Sequence, residues 1–157
     1  MEKIGLYVDV QNVYYTTRDA FGRPFDYRSL WRRLAAAGEL SPAIAYATDR
    51  GDDAQRRFQD ALRHLGFTVR LKPFIQRADG SAKGDWDVGI AIDVLNNAEH
   101  VDRVVLLSGD GDFDLLAETI REKHGIPFDV YGVAALTAES LKRAASSFHP
   151  ITASMLL

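Results

Sequence analysis

The sequence predicts a three-layer α/β fold with a central, mainly parallel sheet of five or six strands. Short apolar runs alternate with segments of helical length, which is the pattern of consecutive β-α-β units with helices on both faces of a sheet. The run at residues 103–107 is apolar over four of its five positions and fits a strand buried on both faces. In such sheets functional residues gather at the carboxyl ends of the strands.

Each element is predicted from its own pattern. Five apolar runs predict strands at residues 4–9, 43–48, 67–75, 103–107 and 128–133. Six segments predict helices at residues 12–20, 27–37, 53–64, 85–98, 111–124 and 137–147. Glycines end several of these helices, and Asp52 or Asp53 caps the third. The pair Asp79-Gly80 marks a loop or hairpin turn after the third strand.

Composition narrows the class of protein. With 157 residues, 46% of them apolar and 26% charged, the chain suits a single globular domain over residues 1–157. The absence of cysteine excludes disulfides, thiolate-bound zinc and thiol catalysis. No apolar run approaches a membrane span and the start does not resemble a signal peptide, so we expect a cytoplasmic protein without a membrane partner.

Charge is unevenly distributed along the chain. Residues 1–84 contain 14 basic and 10 acidic side chains, whereas residues 85–157 contain 5 and 12. This asymmetry indicates a basic surface beside an acidic site, although uneven surface composition explains it equally well.

Acidic residues follow two of the predicted strands. Asp9 ends the first and Asp110 follows the fourth, and each is either a functional carboxylate or the cap of the next helix. Asn12, three residues after Asp9, could orient that carboxylate or a water molecule, or serve as a turn residue.

A helical wheel separates further acids by face. Asp87 continues the stripe of Ile90 and Val94 and is predicted to face the sheet, whereas Asp85 and Asp93 fall on the solvent side.

The same wheel applied to residues 111–124 uses Leu115, Leu116, Thr119 and Ile120 to define the inward face. It places Asp112 on that face and Asp114 outside it, with a favourable interaction with the helix dipole as the alternative role of Asp112.

Four acids from separate segments are therefore predicted to converge on one edge of the sheet: Asp9, Asp87, Asp110 and Asp112. Without a cation they would repel one another. Ligands that are all oxygen suit Mg²⁺ or Mn²⁺, which could activate water and stabilise charge on a phosphoryl group.

Basic and aromatic residues provide a weaker signal for nucleic acid. The stretch from Arg56 to Lys83, with Arg57 and Arg77, could follow an RNA backbone. Aromatic residues between Tyr14 and Trp31 could stack bases, although a core role is the more common one. Nucleotide-cofactor motifs of the Walker or GxGxxG type are absent.

Three motifs, in order, carry a family resemblance: VDVQN, KGDWDVGIAIDVL and VVLLSGDGDFDLL. Together they resemble the NYN domain of the PIN-like nuclease superfamily, in its LabA-like branch, over roughly residues 2–135. The resemblance implies a Rossmann-like sandwich and metal-dependent RNA cleavage by the four acids named above. It implies supporting roles for Asn12 and Asp93. Ser108 is a further supporting candidate, as is Lys83, which could place an ammonium near a phosphate or belong only to a loop at the start of a helix.

The expected function is thus a Mg²⁺- or Mn²⁺-dependent ribonuclease with RNA as its substrate. A non-catalytic RNA-binding or regulatory module on the same scaffold is the alternative, and the sequence leaves a homodimer open. A toprim-like enzyme is disfavoured because it expects Glu where this chain has Asp9, and a receiver-like phosphoacceptor because the fifth strand lacks a terminal Lys.

Overall fold

The central feature is a six-stranded sheet in which all paired strands run parallel. The computed structural model describes residues 1–73, 75, 76, 82, 83 and 85–157, the two short pieces as backbone only. The six strands are β1 (Glu2–Asp9), β2 (Gly38–Asp49), β3 (Thr68–Pro73), β6 (Arg103–Leu107), β7 (Phe128–Gly132) and β8 (Ser147–Pro150). Their order across the sheet is β3-β2-β1-β6-β7-β8.

Helices cover both faces of this sheet. They are α1 (Val10–Phe21), α2 (Tyr27–Ala37), α3 (Asp53–Leu65), α4 (Asp87–Asn97), α5 (Asp114–Thr119) and α6 (Glu139–Ala144). Because side chains alternate along a strand, Leu6 and Val8 of β1 pack with α1 to α3, whereas Tyr7 packs with α4 to α6. The predicted three-layer α/β architecture is confirmed.

The side of the sheet to which successive strands are added changes at β1. From β1 the chain proceeds to β2 and β3 on one side, and the later strands β6 to β8 continue on the other side. A crevice forms outside the carboxyl ends of two such neighbouring strands, because their connections leave to opposite faces. The crevice between β1 and β6 is therefore where the fold places a site.

Several element boundaries differ from the prediction. The last predicted helix, residues 137–147, is shorter: α6 ends at Ala144 and the chain then enters β8 at the edge of the sheet. Of the four residues of β8 only Phe148 is strongly apolar, so this strand has little pattern of its own and depends on pairing with β7.

The predicted strand 67–75 divides into β3 and β4 (Ile75–Gln76), and β4 pairs antiparallel with β5 (Ala82–Lys83). The predicted turn at Asp79-Gly80 lies outside the described residues. The predicted helix 111–124 consists of a 3₁₀ turn at Gly111–Phe113, then α5, then a π-helical segment at Ile120–His124. Within the described part of the chain, no helix has the length and apolar character needed to cross a membrane.

Candidate active site

Acidic side chains line the crevice between β1 and β6. Asp9 is the last residue of β1 and caps α1, and its Oδ1 accepts a hydrogen bond from the Asn12 backbone N–H at 3.5 Å. Asp110 follows β6 and caps the 3₁₀ turn, where its Oδ1 accepts from the Asp112 N–H at 2.9 Å. The structure shows the capping role for both residues, and a cap at this edge also places its carboxylate at the crevice.

Ser108 and Asn12 link the two strand ends. The Ser108 hydroxyl donates to Oδ2 of Asp9 at 3.1 Å and accepts from the Asp110 N–H at 3.2 Å. The Asn12 side-chain oxygen accepts from the Gly109 N–H at 2.9 Å. The Asn12 side chain thus holds the loop after β6, and only its backbone contacts Asp9.

Three carboxylates form a compact group, which we call the acidic cluster: Asp87, Asp110 and Asp112. One oxygen from each lies within 4.8 Å of those of the other two. Asp9 lies outside this group of three and is joined to it through Ser108. The structure therefore brings three of the four predicted acids within 4.8 Å of one another and links the fourth to them through Ser108.

The helical wheel predicted that Asp87 and Asp112 lie at the site, and both belong to the acidic cluster, but the inward face that it predicted for residues 111–124 differs from the structure. The helical segment after Asp112 buries Phe113, Leu116 and Ile120, while Leu115 is exposed, so its inward face is rotated from the predicted one. Asp112 itself is exposed, and the prediction that it faces the sheet is wrong. It joins the cluster because it lies at the start of this segment, next to the strand ends.

The predicted position of Asp93 is wrong. The wheel placed it on the solvent face, yet it is only 9% exposed. Its Oδ2 accepts a hydrogen bond from the Tyr46 hydroxyl at 2.7 Å and lies 3.5 Å from Nε of Arg70. The buried face of α4 contains Asp93 with Ile90 and Val94, so Asp93 joins α4 to β2 and β3.

Burial and mutual repulsion raise the pKa values of two acids. Desolvation first, then a hydrogen bond and charge repulsion from Asp110, raise the pKa of Asp87 to about 7. Desolvation raises the pKa of Asp9 to about 6, opposed by its hydrogen bonds from Ser108 and Asn12. Asp85, which is exposed as predicted, adds repulsion at both sites. Sequence reasoning missed this contribution, although Asp85 is only two residues from Asp87.

The predicted basic surface is only partly present in the described residues. Arg56 and Arg57 are exposed on α3, and Arg56 lies 3.9 Å from Asp53. Lys72 instead donates to the Asp85 carbonyl and lies over the Trp86 ring, while Arg70 pairs with Asp93. Arg77 and the side chain of Lys83 lie outside the described part of the chain.

The model of the NYN domain family matches residues 3–152. The chain belongs to the NYN domain family. This family is part of the PIN-like nuclease superfamily, so the resemblance carried by the three motifs is confirmed.

Two relatives extend the comparison. The NYN domain described here is 35% identical over 129 residues to the Low amplitude and bright protein LabA of Synechococcus elongatus, covering 77% of this chain and 69% of that protein. It is also similar to a crystal structure of a protein of unknown function from Vibrio parahaemolyticus. That similarity has a TM-score of 0.94 and 51% identity, over 99% of this chain and 96% of the other.

Proposed function

We propose that this NYN domain is a metal-dependent ribonuclease that hydrolyses RNA phosphodiester bonds at the acidic cluster. The observation that carries the proposal is the meeting of three carboxylates within 4.8 Å at the β1–β6 crevice. Among the described residues, no lysine, arginine or histidine forms an ion pair with any of the three. An acidic group arranged in this way is stabilised by a cation from solution.

The donor set fits a hard divalent ion. Asp87, Asp110 and Asp112 offer only carboxylate oxygens, which suit Mg²⁺ or Mn²⁺ better than zinc or copper. These three residues would hold the ion, with Asp9 beside them. A bound divalent ion supplies water activation near neutral pH and neutralises charge that develops on a phosphoryl group.

The chain's own residues support this chemistry by holding the carboxylates in place. Ser108 fixes Asp9 relative to the Asp110 loop, and Asn12 fixes the same loop through Gly109. Asp9, whose Oδ2 accepts a hydrogen bond from Ser108, lies beside the cluster and would be placed to orient an attacking water. Exposed cations such as Arg56 and Arg57, which lie outside the acidic cluster, would bind neighbouring phosphates of the same RNA strand.

The test is cleavage of an end-labelled single-stranded RNA by the purified protein with Mn²⁺. Asp110→Asn should lose cleavage by orders of magnitude, because it removes a charge from the cluster while keeping its shape. Asp114→Asn is the matched control, since Asp114 lies outside the cluster on the same helical segment, and it should cleave normally. RNA binding without cleavage by the wild type would instead indicate the non-catalytic RNA-binding module.

A further inference from the structure

A cavity of about 480 Å³ opens near the acidic site, on the face of the sheet that α1 and α3 cover. Val10 and Gln11, which line it, directly follow Asp9 along the chain. Ala47, another lining residue, accepts a hydrogen bond at 2.9 Å from the indole of Trp86, the residue that precedes Asp87. The cavity is therefore linked to the acidic site through the start of α1, which follows Asp9, and through Trp86, which precedes α4.

Aromatic rings form much of the cavity wall. Tyr14 and Tyr15 of α1 stand edge to face at 5.3 Å, and the rings of Tyr27 and Phe58 are 5.7 Å apart. Tyr14 is 54% exposed and Phe58 36%, so both rings keep open apolar surface, while the Arg18 guanidinium lies 5.4 Å from the centroid of the Tyr14 ring. Rings with open surface around a cavity are suited to stack on a planar ligand.

An amide side chain also reaches this cavity. Gln59 lines it and is 4% exposed as a residue, and no described residue forms a hydrogen bond with its side chain. Among the described residues, the polar atoms that are fully buried without a partner belong to Tyr7 and Asp129, so the Gln59 amide keeps access to the cavity and can bind a ligand with donors and acceptors on its edge.

Two further polar groups border the same space. Tyr27 lines the cavity, and burial together with the Asp9 charge raises its pKa above the usual range, so its hydroxyl stays neutral. Arg50 and Gln11 beside the Tyr15 hydroxyl lower its pKa, and Arg50 places a cation at the cavity wall. Flat apolar walls with a neutral hydroxyl, an amide and a single cation suit a planar ring with polar edges better than an aliphatic ligand.

We propose that this cavity binds one unstacked nucleobase of the RNA strand whose phosphodiester lies at the acidic cluster. This inference rests on the proposed ribonuclease function and adds a base-binding subsite to it. Single-stranded RNA is commonly recognised in this way, with a splayed base stacked on aromatic rings and hydrogen-bonded along its edge. The cavity volume falls within the usual range for small-ligand sites and exceeds that of one base.

The experiment measures binding of the four neutral ribonucleosides in EDTA, by ligand-observed NMR, with ribose as the base-free control. Neutral ligands without metal separate this site from the acidic cluster. We expect at least one nucleoside to bind the wild type and ribose not to bind.

Two variants locate the binding. Ala54→Trp fills the cavity from the exposed first turn of α3 and should weaken nucleoside binding about tenfold or more, the scale of a lost stacking contact. Ala61→Trp is the matched control, exposed on the same helix and outside the cavity lining, and should bind as the wild type does. Gln59→Leu should also weaken binding while leaving the melting temperature unchanged or higher, which keeps the test valid if Ala54→Trp does not fold.

Three results would overturn the inference: no nucleoside binding by the wild type, equal binding of ribose, or full binding by both Ala54→Trp and Gln59→Leu. Nucleoside binding with the expected variant pattern but without RNA cleavage would overturn only the proposed hydrolysis.

Discussion

At the scale of single residues, Asp110 is a structural cap and is proposed to be a metal ligand as well. Its Oδ1 caps the turn before α5, and its charge adds to that of Asp87 and Asp112. Asn at this position keeps the capping oxygen and removes the charge. We therefore expect Asp110→Asn to unfold in EDTA at the same temperature as the wild type or higher, and to lose the stabilisation by Mn²⁺.

Melting curves with EDTA and with Mn²⁺ check this prediction, with Asp114→Asn as the control that keeps the Mn²⁺ response. An Asp110→Asn protein that is unfolded in EDTA would mean that its carboxylate is needed as a structural cap rather than as a ligand.

For Asp93 we expect an effect on stability and none on metal binding. It accepts a hydrogen bond from Tyr46 and pairs with Arg70, away from the acidic cluster. Asp93→Ala leaves the Tyr46 hydroxyl without its acceptor, so the free energy of unfolding should fall by about 1–3 kcal/mol. The shift in melting temperature caused by Mn²⁺ should persist. Urea unfolding measures the first effect and thermal melting the second, and unchanged stability with a lost Mn²⁺ response would place Asp93 among the ligands.

The raised pKa values of Asp9 and Asp87 predict how stability depends on pH without metal. Both lie above the ordinary value of 3.8, at about 6 and about 7, so the folded protein binds more protons than the unfolded chain in this interval. The contribution of these two groups to the free energy of unfolding is therefore largest below about pH 4 and decreases as the pH rises to about 7.

Urea unfolding in EDTA across this range tests the sign. Asp87→Asn should show a shallower decrease than the wild type, because one of the two titrating groups is gone. An unchanged slope would show that the Asp87 carboxyl titrates near its ordinary value in the folded protein.

At the scale of elements, the loop between β6 and α5 depends on close packing at Gly109. A Cβ there would lie 2.7 Å from the Leu136 carbonyl oxygen and 3.1 Å from Cα of Thr137, both backbone atoms that cannot rotate away. The Gly109 carbonyl also accepts from the Ala138 N–H at 3.0 Å. Gly109→Ala should therefore push this loop from the segment after β7 and lower the free energy of unfolding by about 1–3 kcal/mol.

The same displacement would strain the Asn12 link to the Gly109 N–H and move Asp110. We expect the Mn²⁺ response to weaken along with stability, as measured by urea unfolding at fixed metal concentrations. Full stability of Gly109→Ala would show that the two loops separate without cost.

At the scale of the whole molecule, ion binding at the crevice should stabilise the fold, because the ion binds only the folded protein. Only there does Asp87, which precedes β6 in the chain, meet Asp110 and Asp112, which follow it. Mg²⁺ or Mn²⁺ at 100 times its Kd should add about 2.7 kcal/mol to the free energy of unfolding. A melting curve recorded against rising Mn²⁺ should move to higher temperature. The Asp87→Asn protein should respond much less, and a wild-type curve indifferent to millimolar Mn²⁺ would contradict the metal site.

Much of the fold and of the candidate site is local in origin and could be predicted. Strand–helix alternation determined the parallel α/β class, and α2 has the predicted bounds because Asp26 caps it and Gly38 ends it. Asp9 and Asp110 follow apolar strands, so parallel pairing of β1 with β6 necessarily brings them to the same edge.

The tertiary structure decided what local pattern left ambiguous. Helix α4 has apolar residues on more than one face, since Val88 and Ile92 are 71% and 51% exposed. Its rotation is therefore set by packing on the sheet, which buries Asp93 beside Tyr46. The cavity between α1 and α3 likewise depends on how two helices distant in sequence approach β2, which no spacing along the chain specifies.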